Sequence, residues 1–274
     1  MLDYSMISVL QLGTVDYSTG LRLQQRLVEL RKEGRIGDVL LLLEHSPVIT
    51  LGRNASRKNI VASPESLAQH GVEVFECDRG GDVTFHGPGQ LIGYPIFDLR
   101  GMAAPEGKRK TLGAVDYVRR LEEALIRTCA DFAIPATRIC GLTGVWTSLS
   151  SRAQSRDLAF PLEAKIAAIG VHISRAVTSH GFALNVNTDL DYFNLIIPCG
   201  IASKPVTSMA KQLGKELPAQ DVAHSVSRNF GLVFESQMLW LDSLDALLGN
   251  SVGVPVKPPE QLRQLHKDED TFWA

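Results

Sequence analysis

The first third of the chain alternates between a helical and an extended pattern of apolar residues. In residues 17–34, Leu23, Leu27 and Leu30 fall on one helical face among charged side chains, which predicts an amphipathic helix. The apolar run DVLLLLEHSPVITLG (38–52) is interrupted by Ser46-Pro47, so we predict a buried strand, a turn and a second strand. Residues 72–81 alternate like another strand and run into glycines.

A longer helix is predicted in the centre of the chain, between Leu112 and Ile134. Apolar residues recur there every three or four positions, and the stripe that they form includes Val115, Val118 and Cys129. A free cysteine on such a stripe behaves as a small hydrophobic residue, so we assign Cys129 to the core.

The second half of the chain is rich in predicted strands. Three apolar segments carry the pattern: KIAAIGVHIS (165–174), VTSHGFALNVN (177–187) and LIIPCGI (195–201). The polar stretch 149–162 precedes them and reads as a loop. A last helix is predicted over 221–234.

No repeat and no Gly/Ser-rich linker divides the chain. We therefore predict an α/β fold with a single catalytic domain over 1–245, in which strands before and after the central helix share one mixed β-sheet flanked by helices. Residues 246–274 are Pro-rich and charged and are expected to form a loosely held tail.

Composition narrows the class of protein. The 274 residues are 45% hydrophobic, and 28 basic against 30 acidic residues give a net charge of −2, which indicates neither a nucleic-acid nor a membrane partner. No leader-like segment and no run of about 18 apolar residues is present, so a cytoplasmic protein is expected. The four cysteines form no CxxC pair, which argues against a disulfide framework or a zinc site.

The stretch RGGDVTFHGPGQLIGYP (79–95) is dense in glycine. Such a segment lets the backbone approach a ligand closely, yet its spacing matches neither a dinucleotide fingerprint nor a P-loop. It is either a glycine-rich hairpin or a ligand-binding turn that carries His86. We favour the second, because a connector needs no titratable ring beside a rigid Gly-Pro-Gly turn.

Three further residues have two interpretations each. Lys165 opens an apolar run, where a lysine usually reaches out to solvent and is less often a partly desolvated ammonium. His180 is either a core hydrogen-bonding residue or part of a site. Cys199 lies between Pro198 and Gly200 on a potential exposed turn, but a thiol there becomes a nucleophile only beside a group such as a cation that favours its ionisation.

Three segments of the chain closely resemble the corresponding segments of the lipoyl(octanoyl) transferases and occur in the same order: RGGDVTFHGPGQLIGYPIFDL, AKIAAIG and FNLIIPCGI. The likeness covers roughly residues 8–235. The resemblance implies the fold of the lipoate and biotin protein ligases. It also implies transfer of an octanoyl group from octanoyl-acyl carrier protein to a lysine on lipoyl domains of 2-oxoacid dehydrogenase complexes and on the glycine-cleavage H protein. The donor is an activated thioester, so no cofactor is expected.

The same resemblance implies a set of site residues. Cys199 would carry the acyl group as a thioester, and Lys165 would favour its ionised form. The implied substrate-binding residues are Arg79, Gly80, Gly81, Asp82, Val83, Thr84, Phe85, His86, Ala168, Ile169, Gly170, Gly181, Phe182 and Ala183.

An eight-carbon chain needs an apolar slot, for which Ile169, Phe182 and Ile201 are candidate walls. An acidic carrier protein needs a basic patch, either Arg53, Arg57 and Lys58 or Lys108-Arg109-Lys110. Two other functions are weighed against octanoyl transfer: an ATP-dependent lipoate-protein ligase, and a non-catalytic module that binds lipoyl domains.

Overall fold

A computed structural model describes residues 5–102, 111–148, 163–200 and 204–248. In chain order the elements are β1 (Ser5–Val15), α1 (Tyr17–Lys32), β2 (Asp38–His45), β3 (Val48–Leu51), α2 (Pro64–Gln69), β4 (Glu73–Glu76), β5 (Val83–His86), β6 (Gln90–Ile96), α3 (Ala114–Asp131), β7 (Ala136–Ile139), β8 (Leu142–Ser148), β9 (Glu163–Ser174), β10 (Val177–Asn185), α4 (Met209–Leu213), α5 (Ala219–Phe234), β11 (Ser236–Trp240) and α6 (Leu244–Leu248).

Eight strands form the main sheet, in the order β11-β1-β2-β6-β10-β9-β8-β7. Strand β1 runs parallel to both of its neighbours, whereas the remaining pairs are antiparallel. The sheet is therefore mixed, and it unites strands that precede α3 with strands that follow it. This confirms the predicted fold class.

Helices cover the two faces of the main sheet. Helix α1 begins after Asp16, whose carboxylate accepts a hydrogen bond from the backbone N–H of Thr19 at 2.9 Å, and it buries Leu23, Leu27 and Leu30 against one face. Helices α3 and α5 pack together on the other face. Burial of each leucine contributes about 1.5–3 kcal/mol, so the apolar stripe of α1 is sufficient to hold it on the sheet.

The buried stripe of α3 differs from the predicted one. Val115 is 73% exposed, whereas Tyr117, Leu121 and Leu125 are fully buried. With 3.6 residues per turn, Val115 lies about 200° around the helix from Tyr117, so its side chain points to solvent. The assignment of Cys129 to the core is confirmed, and burial raises the pKa of its thiol to about 12.

A second, three-stranded sheet has the order β4-β3-β5. The strands predicted in 38–52 and 72–81 are present, but β3 and β4 belong to this smaller sheet. The hairpin interpretation of residues 79–95 is wrong, because β5 pairs with β3 while β6 pairs with β2 and β10. The Gly-Pro-Gly turn therefore carries the chain from one sheet to the other.

The strand predicted for 195–201 is also wrong over its described residues, 195–200. Short 3-10 turns occupy Leu190–Leu195 and Pro198–Gly200, and the extended pairing here is a single bridge between Ile60 and Ile196. Proline lacks a backbone N–H, and the two residues after it have positive φ angles, so the chain turns here instead of extending.

Several predicted features lie outside the described residues: the polar loop 149–162, the basic run Lys108-Arg109-Lys110, the slot residue Ile201, and the tail from residue 249 onward. The division of the chain at residue 245 stays a prediction. Among the helices of the described ranges, none is long and apolar enough to cross a membrane.

Candidate active site

A cavity of about 200 Å³ opens where the small sheet faces strands β9 and β10 of the main sheet. Fourteen of the sixteen residues implied by the family resemblance line it, although they come from four separate segments of the chain. These residues are Arg79, Gly80, Gly81, Asp82, Thr84, His86, Lys165, Ala168, Ile169, Gly170, Gly181, Phe182, Ala183 and Cys199.

Cys199 lies on the tight turn Pro198–Gly200. Its backbone has φ 55° and ψ 19°, a left-handed conformation that is uncommon for a residue with a side chain. The N–H of Gly200 closes the turn with a 3.1 Å hydrogen bond to the carbonyl of Ile197. The turn leaves the thiol partly exposed on the cavity wall instead of burying it like that of Cys129.

Lys165 faces the same wall because of an irregularity in β9. The pairing register between β8 and β9 shifts at Val145 and Trp146, and both Ile166 and Ala167 are buried in the core beneath the sheet. Such a bulge redirects neighbouring side chains, and Lys165 accordingly points into the cavity.

The ammonium of Lys165 contacts the thiol directly. Its Nζ donates a 3.2 Å hydrogen bond to the Sγ atom of Cys199 and lies 4.7 Å from the ring centroid of Trp146. The Lys165 side chain is only 8% exposed, so it is not a lysine that reaches out to solvent. A cation at this distance stabilises a thiolate, which is the reactive form of cysteine.

The glycine-rich segment is held in place by Arg79. The guanidinium donates hydrogen bonds to the Thr50 carbonyl at 2.7 Å, to the Thr50 hydroxyl at 2.8 Å and to the Asp82 carbonyl at 2.8 Å. Most of its donors are therefore used within the protein. Arg79 shapes the cavity by ordering the loop that precedes β5.

Two buried histidines contribute to the cavity wall. Burial lowers the pKa of His86 to about 3, an effect reinforced by His45 when that ring is protonated and by the charge of Arg79, so the His86 ring is neutral at physiological pH. Burial also lowers the pKa of His180, although its Nε2 lies 2.7 Å from a carboxylate oxygen of Asp78. Both interpretations of His180 hold, since it is hydrogen-bonded in the interior and lines the cavity.

Two of the implied substrate-binding residues point elsewhere. Val83 and Phe85 alternate with Thr84 and His86 along β5, so their side chains face the core of the small sheet. Sequence reasoning also missed cavity residues, among them Tyr17 at the start of α1 and Ile92 and Tyr94 in β6. The local pattern gave no signal for Tyr17, because an aromatic residue at a helix start is ordinary.

Candidate basic residues lie beside the cavity. The loop before α2 is fastened to the glycine-rich segment, since the N–H of Arg53 bonds the Arg79 carbonyl at 3.0 Å. Arg57 forms an ion pair with Glu76 at 2.6 Å, whereas Arg53 and Lys58 are exposed and have no ionic partner within the described ranges. Positive charge is therefore available at this rim.

The geometry suits acyl-group chemistry. A thiol and an ammonium in hydrogen-bond contact lie on one wall of a slot that also presents Ile169, Phe182 and Ala183. A thiol so placed is able to hold an acyl group as a thioester while an apolar tail occupies the slot.

Comparison with known sequences identifies the family. The profile of the lipoyl protein ligase A/B catalytic domain matches residues 16–231. The chain is 61% identical over 264 residues to the octanoyltransferase of Koribacter versatilis, covering 96% of this chain and 98% of the relative. It is 57% identical to the octanoyltransferase of Acidobacterium capsulatum, covering 89% of this chain and 96% of the relative.

Solved structures agree on the fold. A bipartite lipoate protein ligase from Thermoplasma acidophilum superposes with a TM-score of 0.64 at 14% identity, covering 98% of this chain and 93% of that one. A lipoate-protein ligase A bound with ATP superposes with a TM-score of 0.59 at 12% identity, covering 98% of this chain and 95% of that one. The chain therefore belongs to the lipoyl protein ligase A/B catalytic domain family, among its octanoyltransferases, and is an acyltransferase of protein lipoylation.

Proposed function

We propose that this enzyme takes the octanoyl group from octanoyl-acyl carrier protein, holds it as a thioester on Cys199, and passes it to a lysine of a lipoyl domain. The observation that carries the proposal is the 3.2 Å contact between Lys165 Nζ and Cys199 Sγ on the wall of the slot. We place the reaction in the cytoplasm, where such a thiol stays reduced.

In the first half-reaction the Cys199 thiolate attacks the carbonyl carbon of the donor thioester. The bond from that carbon to the carrier's sulfur breaks, and the carrier's sulfur takes a proton from the Lys165 ammonium and leaves as a thiol, so that Lys165 becomes neutral. Lys165 stabilises the thiolate before attack. Backbone N–H groups near the turn are candidates to stabilise the oxyanion, an effect worth about 3 kcal/mol per donor.

In the second half-reaction the neutral amine of the target lysine attacks the acyl carbon on Cys199. The carbon–sulfur bond breaks, an amide forms, and the amine gives up one proton. Lys165 in its neutral form accepts that proton, which restores the ammonium beside the released thiolate. A thioester and an amine thus become a thiol and an amide, and no nucleotide is consumed.

The slot favours an acyl chain of medium length. Each buried CH₂ contributes about 0.8 kcal/mol, so burying the tail of an octanoyl group supplies about 5 kcal/mol. The wall residues Ile169 and Phe182 support this role, and the neutral state of His86 keeps charge away from the tail.

Acceptor and donor proteins reach the same opening. The Thermoplasma structure is described as that of a bipartite lipoate protein ligase and its E2 lipoyl domain, which supports lipoyl domains as acceptors here, and the H protein offers the same kind of lysine. For the acidic carrier protein, we propose the rim that carries Arg53 and Lys58 as the docking surface, because these exposed cations lack ionic partners among the described residues.

A reconstituted transfer assay tests the proposed function. Purified enzyme, octanoyl-acyl carrier protein and an apo lipoyl domain are mixed without ATP, and the octanoylated domain is quantified by mass spectrometry. We expect transfer by the wild type and loss of at least about 1000-fold in Cys199→Ala, since no thiol remains to carry the acyl group. Transfer that requires ATP and survives this substitution would identify a ligase, and binding of the domain without transfer would identify a non-catalytic module.

A further inference from the structure

The turn that carries Cys199 depends on one polar residue outside the cavity. Asn59 lies just before α2, and its backbone carbonyl accepts a 2.7 Å hydrogen bond from the N–H of Ile197, two residues before Cys199. Its side-chain Nδ2 donates a 2.6 Å hydrogen bond to Oδ2 of Asp82 in the glycine-rich segment. Asn59 thus joins the nucleophile turn to the loop that lines the slot.

Asp82 is the second member of this arrangement, and it is fixed from three directions. Besides the bond from Asn59, its Oδ1 accepts hydrogen bonds from the backbone N–H of Val83 at 2.7 Å and of Ser56 at 3.2 Å. A carboxylate held in this way has a defined position even though it forms no ion pair among the described residues.

Gly200 packs against this carboxylate. A Cβ atom at Gly200 would lie 2.6 Å from Oδ2 of Asp82 and 3.5 Å from Nδ2 of Asn59, so only glycine lets the turn approach so closely. The φ of 67° at Gly200 adds a second reason for glycine. The Asn59–Asp82 pair therefore forms the surface on which the Cys199 turn rests.

The turn needs such support. Left-handed backbone at a residue other than glycine costs about 1 kcal/mol or more and persists only where surrounding structure holds it. Here Cys199 has φ 55°, and its Sγ must stay within reach of Lys165 Nζ. Displacement of a reacting group by about 1 Å lowers catalytic rates by as much as about 100-fold.

We propose that Asn59 is a positioning residue for the nucleophile: by holding Asp82 and Ile197 together, it keeps Cys199 within hydrogen-bond distance of Lys165. This rests on the proposed function of Cys199 as the acyl carrier. Asn59 itself does not line the cavity.

The test compares three variants of the full chain. Asn59→Ala removes the side-chain hydrogen bond without changing charge, whereas Asn59→Asp sets two carboxylates against each other. The double variant Asn59→Asp/Asp82→Asn restores a carboxylate–amide pair with the original total charge. Asn54→Asp is the matched control, at an exposed residue of the same loop whose side chain makes no hydrogen bond to any described residue.

The first measurement is the rate of Cys199 alkylation by iodoacetamide as a function of pH, followed by peptide mass spectrometry. The midpoint of this profile reports ionisation of the thiol, whereas its plateau reports access. We expect the midpoint to move to higher pH in Asn59→Ala and further in Asn59→Asp, and to return in the double variant. Asn54→Asp keeps the wild-type profile.

The second measurement is single-turnover acylation by octanoyl-pantetheine, a donor too small to depend on protein docking. We expect the maximal rate to fall about 10- to 100-fold in Asn59→Asp, with a smaller change in the donor concentration for half-maximal rate. The double variant recovers most of that loss.

A wild-type alkylation profile in Asn59→Ala would overturn the proposal. So would a double variant that behaves like Asn59→Asp. Because alkylation needs no octanoyl donor, it still answers the positioning question if Cys199 proves to carry no acyl group. Failure of the proposed function is thereby distinguished from failure of this inference.

Discussion

Two buried histidines, His45 and His86, make the stability of this enzyme dependent on pH. Burial lowers the pKa of His45 to about 4 and that of His86 to about 3, from an ordinary value of 6.5. In the unfolded chain both rings take up protons as the pH falls through 6.5, whereas in the folded protein they stay neutral. Protonation therefore favours the unfolded state, and stability is lost between about pH 7 and about pH 3.

The size of this loss of stability follows from the size of the two pKa shifts. Between pH 7 and pH 5 each histidine lowers the free energy of unfolding by about 2 kcal/mol, so the two together lower it by about 4 kcal/mol. His180, whose pKa is also lowered by burial, acts in the same direction. Asp38 opposes this loss of stability at lower pH, because burial raises the pKa of its carboxyl group.

Urea unfolding, followed by the fluorescence of the buried Trp146, measures this loss at pH 7 and pH 5. The free energy of unfolding falls between pH 7 and pH 5, and in His45→Gln we expect this decrease to be smaller by about 2 kcal/mol, whatever the substitution does to stability at pH 7. His70→Gln, a substitution at an exposed histidine, is the matched control. A stability equal at both pH values, or an undiminished fall in His45→Gln, would refute the reasoning.

Other predictions concern the site. Lys165→Met slows iodoacetamide alkylation of Cys199 at pH 7 at least about tenfold, because the ammonium 3.2 Å from the sulfur is lost; an unchanged rate would show that Lys165 does not activate the thiol. Ile169→Ala lowers the preference for octanoyl over butyryl donors about tenfold, measured as a ratio of kcat/KM values; an equal loss with both donors would exclude Ile169 from the slot. The double substitution Arg53→Glu/Lys58→Glu raises the KM for octanoyl-acyl carrier protein, and the increase is larger at low salt. The KM for octanoyl-pantetheine stays unchanged. If only the KM for the lipoyl domain rises, the acceptor and not the carrier protein binds at this rim.

Helical periodicity gave reliable information where one face of an element is buried. Helices α1 and α5 follow it closely, and α3 departs at Val115, which lies on the opposite side of the helix from the buried Tyr117. Short strands carry less information. Nothing in the pattern of β3 or β5 indicates that they leave the main sheet, because each is only four residues long and its pairing is decided by tertiary structure.

The site was predictable as a set of segments but not as a geometry. Lys165 and Cys199 are 34 residues apart, and only the bulge in β9 and the turn after Pro198 bring their side chains together. Spacing alone left both residues with two interpretations. The contributions of Tyr17 and Asn59 could not be predicted for the same reason, since each reaches the site through tertiary contacts and belongs to no local sequence motif.

The central claim is that Cys199 carries the octanoyl group. Intact-mass spectrometry of the enzyme after mixing with octanoyl-acyl carrier protein, without an acceptor, tests it most directly. We predict a species heavier by one octanoyl group, located on Cys199 by peptide mapping, removed by hydroxylamine, absent from Cys199→Ala and still present when the exposed Cys140 is replaced by alanine. A wild-type enzyme that turns over without this adduct, or an equal adduct in Cys199→Ala, would contradict the account.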